Sequence, residues 1–297
     1  MIKLFYRQKI LLGLLQGFGG SVSNINFQKY LFLFTQTCQS EPSYEFVPYK
    51  FGGFSFQSYA DKRKLVEKEL LQNDDSWKVA KDVDCLSQLK LGDESKIIKF
   101  CNKYSSIRGN DLIQHVYKEF PYYAIKSEIS EKLMSIEELE RIGKLTPVQN
   151  DIALFTIGYE GSTFENYLNR LIKNNITTLV DVRKNALSRK YGFSKKTLSE
   201  TIQKLGIKYK HMPALGIISE KRNSLKTQSD YNALFDEYED TVLRQNDDAL
   251  KELLQIIKKD KRVAITCFEK TVCMCHRGRV ANALEKRPEW QYMTYHI

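Results

Sequence analysis

Apolar residues recur at different intervals in the two halves of the chain, and the two patterns predict different structures. In the first half they recur at helical spacing over residues 2–17 and 25–36, with Ser23 or Asn24 available as an N-cap between the two helices. The segment NDLIQHVYKEF adds an amphipathic helix that stops at Pro121, because proline cannot continue a helix. The first half is therefore predicted to be mostly helical.

Aromatic residues interrupt this helical pattern in the segment YEFVPYKFGGFSF. Its Pro48 and Gly52-Gly53 indicate short strands joined by a turn, and a charge-rich helix is expected over 58–72. Two helices, strands with a turn and a further helix are the order of a winged-helix-like module, a kind of module that commonly binds DNA. Because many such modules bind proteins instead, the fold alone does not assign the partner.

The second half alternates apolar runs with helical segments. The runs predict strands at 152–158, 177–182, 208–211 and 262–267, and helices are expected at 163–173, from Ser194, across 229–258 and at 277–286. Strands separated by helices favour a mainly parallel sheet that is covered on both faces. We therefore predict a Rossmann-like three-layer α/β domain.

A change of composition marks a boundary between the halves. The segment EELERIGKLTPVQND, with Gly143 and Pro147, is polar and precedes the apolar strand DIALFTIGY. Two domains are predicted, at 1–145 and 151–297. The chain has no run of eighteen apolar residues, and its apolar start is interrupted by RQK, so we expect a cytoplasmic protein without a membrane span.

Positive charge is concentrated in one part of the chain. The formal net charge is +10, and the segment 173–222 alone holds 12 basic and 3 acidic residues. A basic surface attracts polyanions through counterion release and long-range steering. A nucleic-acid partner, with DNA as the first choice, is therefore expected.

Polar residues follow the predicted strands and so belong to one edge of the sheet, since parallel strands end on the same side. The segments that meet there are Gly158-Tyr159-Glu160-Gly161-Ser162, Asp181-Val182-Arg183, His211, Cys267 with Glu269, and Cys275-His276-Arg277. Core packing does not require polar strand ends. Their convergence from distant parts of the chain predicts a functional site.

The same residues carry a family resemblance. The motifs TIGYEG, LVDVRKNALSRKYGFSKKTL, GIKYKHMPALG and ITCFEK followed by CHR resemble, in order and over residues 152–286, the bacterial domain-of-unknown-function family numbered 488. The first half is similar to the winged-helix-like extension of the family's longer members. The resemblance implies a Rossmann-like fold with a polar site, and no established reaction.

The segment CFEKTVCMCHRGR is open to three interpretations. A zinc site is disfavoured because no second cysteine pair exists, and because the adjacent Cys275 and His276 are not expected to face one ion from the start of a helix. A nucleophilic Cys275 at a helix start beside Arg277 is the second, with His276 or His211 as its base. The third, which we favour, is an anion site formed by the helix start, Arg277 and Arg183. No metal and no cofactor are predicted.

Catalysis in such a site would need a carboxylate. Glu269 is the better candidate, because the strand before it is apolar and nothing local requires an acid. Asp181 is either catalytic or simply paired with Arg183, and Tyr159 either contacts substrate or packs. His211 is expected to orient a neighbour through a hydrogen bond. A carboxylate beside a bound sugar phosphate can assist cleavage of a glycosidic bond.

The segment SRKYGFSKKTL predicts a basic loop that leads into a helix capped by Ser194. Arg189, Lys190 and Phe193 combine cations with an aromatic ring, a combination suited to single-stranded or flipped nucleic acid. Lys221 and Arg222 are expected to extend this surface. The predicted substrate-binding residues are Arg183, Arg189, Lys190, Phe193, His211, Cys275, His276 and Arg277, and the predicted catalytic residues are Glu269, Asp181 and Tyr159.

The leading hypothesis is a DNA-processing hydrolase that cleaves the glycosidic bond of a base or modified base, consistent with defence against foreign DNA. A phosphodiester-cleaving nuclease is the second hypothesis. A non-enzymatic module that binds nucleic acid or senses nucleotides is the third, in which Glu269 and Asp181 only shape the pocket. Thiol chemistry at Cys275 is a further alternative.

Overall fold

A computed structural model of the chain describes residues 3–80, 84–218 and 227–297. The chain divides into two compact units, Met1–Thr146 and Pro147–Ile297. Among the described residues, no helix combines the length and the apolar character needed to cross a bilayer.

The N-terminal unit is mostly helical, as predicted. Its elements are α1 (Tyr6–Gly17), β1 (Ser21–Val22), α2 (Asn24–Cys38), β2 (Val47–Tyr49), β3 (Gly52–Phe54), α3 (Phe56–Glu67), β4 (Trp77–Lys78), α4 (Leu91–Tyr104), α5 (Gly109–Glu119), α6 (Ser130–Leu133) and α7 (Ile136–Leu145). The expected hairpin is present, because β2 pairs with β3, while β1 pairs with β4 in a separate two-stranded sheet. Ser23 caps α2, since its hydroxyl accepts a hydrogen bond from the backbone of Asn26 at 3.4 Å.

The C-terminal unit alternates strands and helices. Its elements are β5 (Ala153–Gly158), α8 (Phe164–Lys173), β6 (Thr178–Asp181), α9 (Lys195–Lys204), β7 (Lys208–His211), α10 (Gln228–Tyr238), α11 (Asp247–Asp260), β8 (Arg262–Cys267), α12 (His276–Glu285) and β9 (Met293–His296). The five strands form one parallel sheet in the order β7-β6-β8-β5-β9. The predicted strands are confirmed; β9 was not predicted.

Helices pack on both faces of this sheet. Leu154, Val263 and Ile265 lie in a buried cluster with the apolar residues of α10, α11 and α12. On the opposite face, Tyr167 of α8 donates a hydrogen bond to Thr266 of β8 at 2.8 Å. Successive residues of a strand point to opposite faces, so strands buried on both sides appear in the sequence as continuous apolar runs. The three-layer arrangement follows from that burial.

Candidate functional site

The loops after β5 and β8 are joined at the carboxyl edge of the sheet. The backbone amides of Tyr159 and Glu160 donate to the carbonyl of Phe268 at 3.1 and 2.9 Å. The Glu160 carboxylate in turn accepts from the amide of Lys270 at 3.0 Å. These bonds hold the backbone around Glu269 against the end of β5.

Gly158 makes this close approach possible. A Cβ atom at position 158 would lie 1.9 Å from the carbonyl oxygen of Glu269, so no larger residue fits there without displacing the loop. The carbonyl of Gly158 accepts from the guanidinium of Arg170 at 2.6 Å. Close packing of the backbone at Gly158 on the backbone at Glu269 therefore explains the first glycine of the TIGYEG motif.

Asp181 is the centre of a buried ion-pair network, which we call the Asp181 cluster and define as Asp181, Arg183, Tyr209 and Tyr159. The Asp181 carboxylate accepts from Arg183 Nε at 2.8 Å and Nη2 at 2.5 Å, and from the hydroxyl of Tyr209 at 2.7 Å. Arg183 Nη1 donates to the hydroxyl of Tyr159 and to the carbonyl of Phe193, both at 2.9 Å. Asp181 is fully buried and Arg183 nearly so.

The charges of this cluster neutralise each other. Burial by itself lowers the pKa of Arg183, but the hydrogen bonds and charge of Asp181 outweigh it and raise the pKa above its ordinary value. Burial and the charge of Asp181 also raise the pKa of Tyr209. Of the two roles considered for Asp181, the geometry matches pairing with its own arginine.

Phe193 lies in the core. Its ring is fully buried and stacks on Tyr159 at 4.2 Å between centroids, with Phe164 and Tyr167 against it edge-on. The prediction that Phe193 binds substrate is wrong, because no face of the ring is left for a base. Tyr159, buried by the same contacts, packs rather than standing free.

Arg277 is also buried, and it holds the loop after β8. Its guanidinium donates to the carbonyl of Glu269 and, at 2.9 Å, to that of Lys270. The prediction that Arg277 presents an anion-binding fork is therefore wrong. The backbone carbonyls of the turn need donors, and Arg277 supplies them.

The next residues to consider are His211 and two residues of the basic loop, Arg189 and Lys190. His211 Nε2 donates to the carbonyl of Arg183 at 2.9 Å, which is an orienting role. Lys190 donates a hydrogen bond to the carbonyl of Tyr159 at 3.0 Å. Burial lowers the pKa of Lys190, and the charge of Glu160 offsets only part of this effect. Arg189 is exposed.

Ser194 is the N-cap residue of α9, as predicted. Its hydroxyl makes no hydrogen bond to the helix, because it donates to the carbonyl of Ser188 in the preceding loop at 2.8 Å. Lys221 and Arg222 lie outside the described residues.

A second cluster lies at the end of β8; we call it the Cys267 cluster and define it as Cys267, Cys275, His276 and Glu269. Cys267 Sγ donates to Glu269 Oε2 at 3.3 Å and lies 3.5 Å from His276 Nδ1. His276 Nε2 lies 2.9 Å from the carbonyl oxygen of Val182. The two sulfurs and one His276 nitrogen all lie within 4.8 Å of one another. Burial raises the pKa of the Cys275 thiol well above its usual range.

A cavity of about 320 Å³ opens at this edge of the sheet. Its lining includes Tyr159, Arg183, Lys184, Cys267, Phe268 and His276. Phe268 is 43% exposed, unusual for a phenylalanine beside a buried strand. A larger cavity of about 500 Å³ shares Lys184 and Ile217 with it, but no cysteine, histidine or carboxylate is among its described lining residues.

Sequence reasoning missed Lys184 and Phe268 as site residues. Lys184 directly follows Arg183 in the motif LVDVRK, and Phe268 directly follows β8. An aromatic residue just past the end of a buried strand, where the chain leaves the sheet, was the available signal for Phe268.

The C-terminal unit is thus a Rossmann-like α/β domain with a polar cavity at the carboxyl ends of its parallel strands. Residues 163–284 match the family described as Domain of unknown function DUF488. The resemblance seen in the motifs is confirmed there; for the N-terminal unit it stays a prediction. No match was found among curated proteins or among solved structures.

Proposed function

We propose that the protein is a hydrolase acting on nucleic acid, and that the cavity at the carboxyl ends of the strands holds one nucleotide unit. The observation that carries the proposal is the composition of the cavity wall. It combines an exposed aromatic ring, Phe268, with an exposed cation, Lys184. Cys267 and His276 also line the cavity.

Each part of this wall suits part of a nucleotide. Aromatic rings stack on bases of any sequence, and each such contact is worth about 1–3 kcal/mol. Lys184 is exposed and available to a phosphate, whereas the charge of Arg183 is neutralised by its ion pair with Asp181. The segment 173–222 supplies the positive field that attracts a polyanion.

Glu269 is the proposed acid–base residue. Its carboxylate lies beside Cys267, a residue of the cavity wall, and the backbone around it is held by Gly158 and Arg277. A carboxylate fixed next to a bound nucleotide can accept a proton from an attacking water. Asp181 is not given this role, because its oxygens are already bonded to Arg183 and Tyr209.

The bond that is hydrolysed defines the finer proposal. Cleavage of a base–sugar bond, in DNA with or without base modification, is the first choice, and phosphodiester cleavage is the second. The winged-helix-like N-terminal unit is proposed to add binding energy for the polymer. A cytoplasmic location and a role in defence against foreign DNA stay predictions.

The experiment compares Glu269→Gln with Glu200→Gln, a matched change at an exposed glutamate of α9. Purified full-length protein is incubated with labelled unmodified and modified DNA, and abasic sites and strand breaks are counted. We expect Glu269→Gln to lose at least about 100-fold in turnover, since general acid–base groups contribute about 10²–10⁴-fold. Binding to DNA should change little in either variant.

Two outcomes would count against the proposal. If wild-type protein binds DNA but releases no product, the chain is a binding or sensing module and not a hydrolase. If Glu269→Gln and Glu200→Gln turn over equally well, catalysis belongs to another group. Lys184→Ala tests the site itself, because it should weaken binding of a short oligonucleotide.

A further inference from the structure

We propose that Cys267, Cys275 and His276 bind one Zn²⁺ ion, whose fourth coordination position opens to the cavity. The two sulfurs and one His276 nitrogen lie within 4.8 Å of one another, and the 3.5 Å between Cys267 Sγ and His276 Nδ1 matches the spacing of donors around one tetrahedral metal. All three residues are at most 2% exposed.

The orientation of His276 favours a metal. Its Nε2 lies 2.9 Å from the carbonyl oxygen of Val182, and because a carbonyl only accepts, Nε2 carries a hydrogen. A neutral ring with its hydrogen on Nε2 presents the lone pair of Nδ1 toward Cys267 Sγ, 3.5 Å away. Metal-binding histidines usually donate their other ring nitrogen to a carbonyl or carboxylate in this way.

The fold brings the adjacent residues Cys275 and His276 to one point. Cys275 has an extended backbone, with φ −135° and ψ 134°, and His276 is the first residue of α12. The change of backbone conformation between them places both side chains near Cys267. The expectation that they cannot face one ion is therefore wrong, because it assumed that both already lie in the helix.

The surrounding backbone holds this arrangement. A 3₁₀ turn, Val272–Met274, returns the chain to the strand end, and Gly278 fits against it where a Cβ would lie 2.9 Å from a Val272 methyl carbon. Arg277 ties down the carbonyls of residues 269 and 270. The cluster is thus supported from both sides before any ion binds.

The donor set selects the metal and leaves one position free. Two thiolates and an imidazole suit Zn²⁺, and binding would release the two thiol protons to solvent. Structural zinc sites use four protein ligands, whereas catalytic sites use three and keep a position for water. Cys267 and His276 line the cavity, so the free position faces it.

Glu269 is placed to serve such a water. Its Oε2 lies 3.3 Å from Cys267 Sγ, but Glu269 is not among the three residues whose donors converge. Zinc-dependent nucleobase deaminases use a comparable set, cysteines and a histidine on zinc with a glutamate that is not a ligand. The role of the zinc as the source of the attacking water depends on the proposed hydrolase function. The proposal that these residues bind zinc does not depend on it.

The test is metal content in the full-length protein, purified under reducing conditions and reconstituted with Zn²⁺. We expect about one zinc per chain in wild type and in Cys273→Ser, a matched change at an exposed cysteine two residues from Cys275. Cys267→Ser, Cys275→Ser and His276→Ala should each lose affinity by more than about 100-fold, since even an outer partner of a zinc ligand is worth about 10–100-fold. Circular dichroism identifies any variant that fails to fold.

Cobalt substitution of wild type gives a readout that needs no variant. Co²⁺ bound by the two thiolates should produce a sulfur-to-cobalt charge-transfer band that Zn²⁺ abolishes by competition. Zinc content below about one tenth per chain, or no such band, would overturn the site. Zinc bound without any product from DNA would instead refute the hydrolase alone. Turnover in zinc-free protein that a chelator leaves unchanged would refute only the role of the zinc as the source of the attacking water.

Discussion

The Asp181 cluster and the Cys267 cluster lie at the same edge of one sheet, yet their buried polar groups are satisfied in opposite ways. In the Asp181 cluster, the carboxylate accepts hydrogen bonds from Arg183 and Tyr209, so charge meets charge. In the Cys267 cluster, two thiols and an imidazole converge on one another. In the first cluster the carboxylate and the guanidinium satisfy each other, whereas in the second the metal-binding atoms converge on a common point.

The difference separates a structural role from a functional one. A buried ion pair with its hydrogen bonds made is costly to break and has little capacity left for a ligand. Donors that converge on one another, beside a cavity, have capacity for an additional partner. Position at a strand end is common to both clusters and cannot distinguish them.

The largest expected effect is that of Asp181→Asn. Asparagine keeps the shape but removes the charge, which leaves Arg183 buried and unpaired, so the free energy of unfolding should fall by about 3–5 kcal/mol. Urea denaturation measures it. Glu252→Gln, which breaks a half-exposed pair with Lys210, is the control and should cost at most about 1 kcal/mol. A loss as small as the control's would restore Asp181 as a catalytic candidate.

Arg277→Lys should have the next largest effect. A lysine cannot reach both carbonyls that the guanidinium holds, so we expect a loss of about 2–3 kcal/mol in unfolding free energy. Limited proteolysis should also show faster cleavage in the loop after β8. Arg279→Lys is the control, because Arg279 pairs with Glu239 on a partly exposed surface. Equal stability of the two variants would mean that the loop does not depend on Arg277.

Tyr209→Phe should be milder. It removes one donor to Asp181, while Arg183 continues to neutralise the carboxylate, so a loss of about 1–2 kcal/mol is expected. Tyr231→Phe, which removes the hydroxyl of a half-buried tyrosine of α10, serves as the matched change. Thermal unfolding compares the two. If Tyr209→Phe were as damaging as Asp181→Asn, the hydroxyl and not the ion pair would dominate the network.

Cys273→Ser should change almost nothing. Cys273 is exposed and lies outside both clusters, so stability and DNA turnover should stay at wild-type values. The rapidly alkylated thiol should disappear in a thiol-reagent time course, because the remaining cysteines of the C-terminal unit are buried. A loss of activity in this variant would move the functional sulfur out of the Cys267 cluster.

The sequence alone determined the α/β architecture of the C-terminal unit. The apolar runs IALFTIG and RVAITC predict β5 and β8 almost to the residue, because a parallel strand must be apolar on both faces. The sequence also sufficed to recognise the family motifs and to predict which edge of the sheet bears the polar residues. The strand β9, MTYH, could not be predicted from the sequence, because its residues are largely exposed and only pairing with β5 makes it a strand.

Only the tertiary structure decided which polar residues at that edge are already satisfied. Arg183 and Arg277 look alike in the sequence, but one meets a carboxylate and the other two backbone carbonyls. Phe193 reads as a binding residue until Tyr159 and Tyr167 are seen to cover its ring. Spacing along the chain fixes where a side chain starts, whereas its partners depend on segments brought together by folding, which is why Cys267 meets His276 and Cys275.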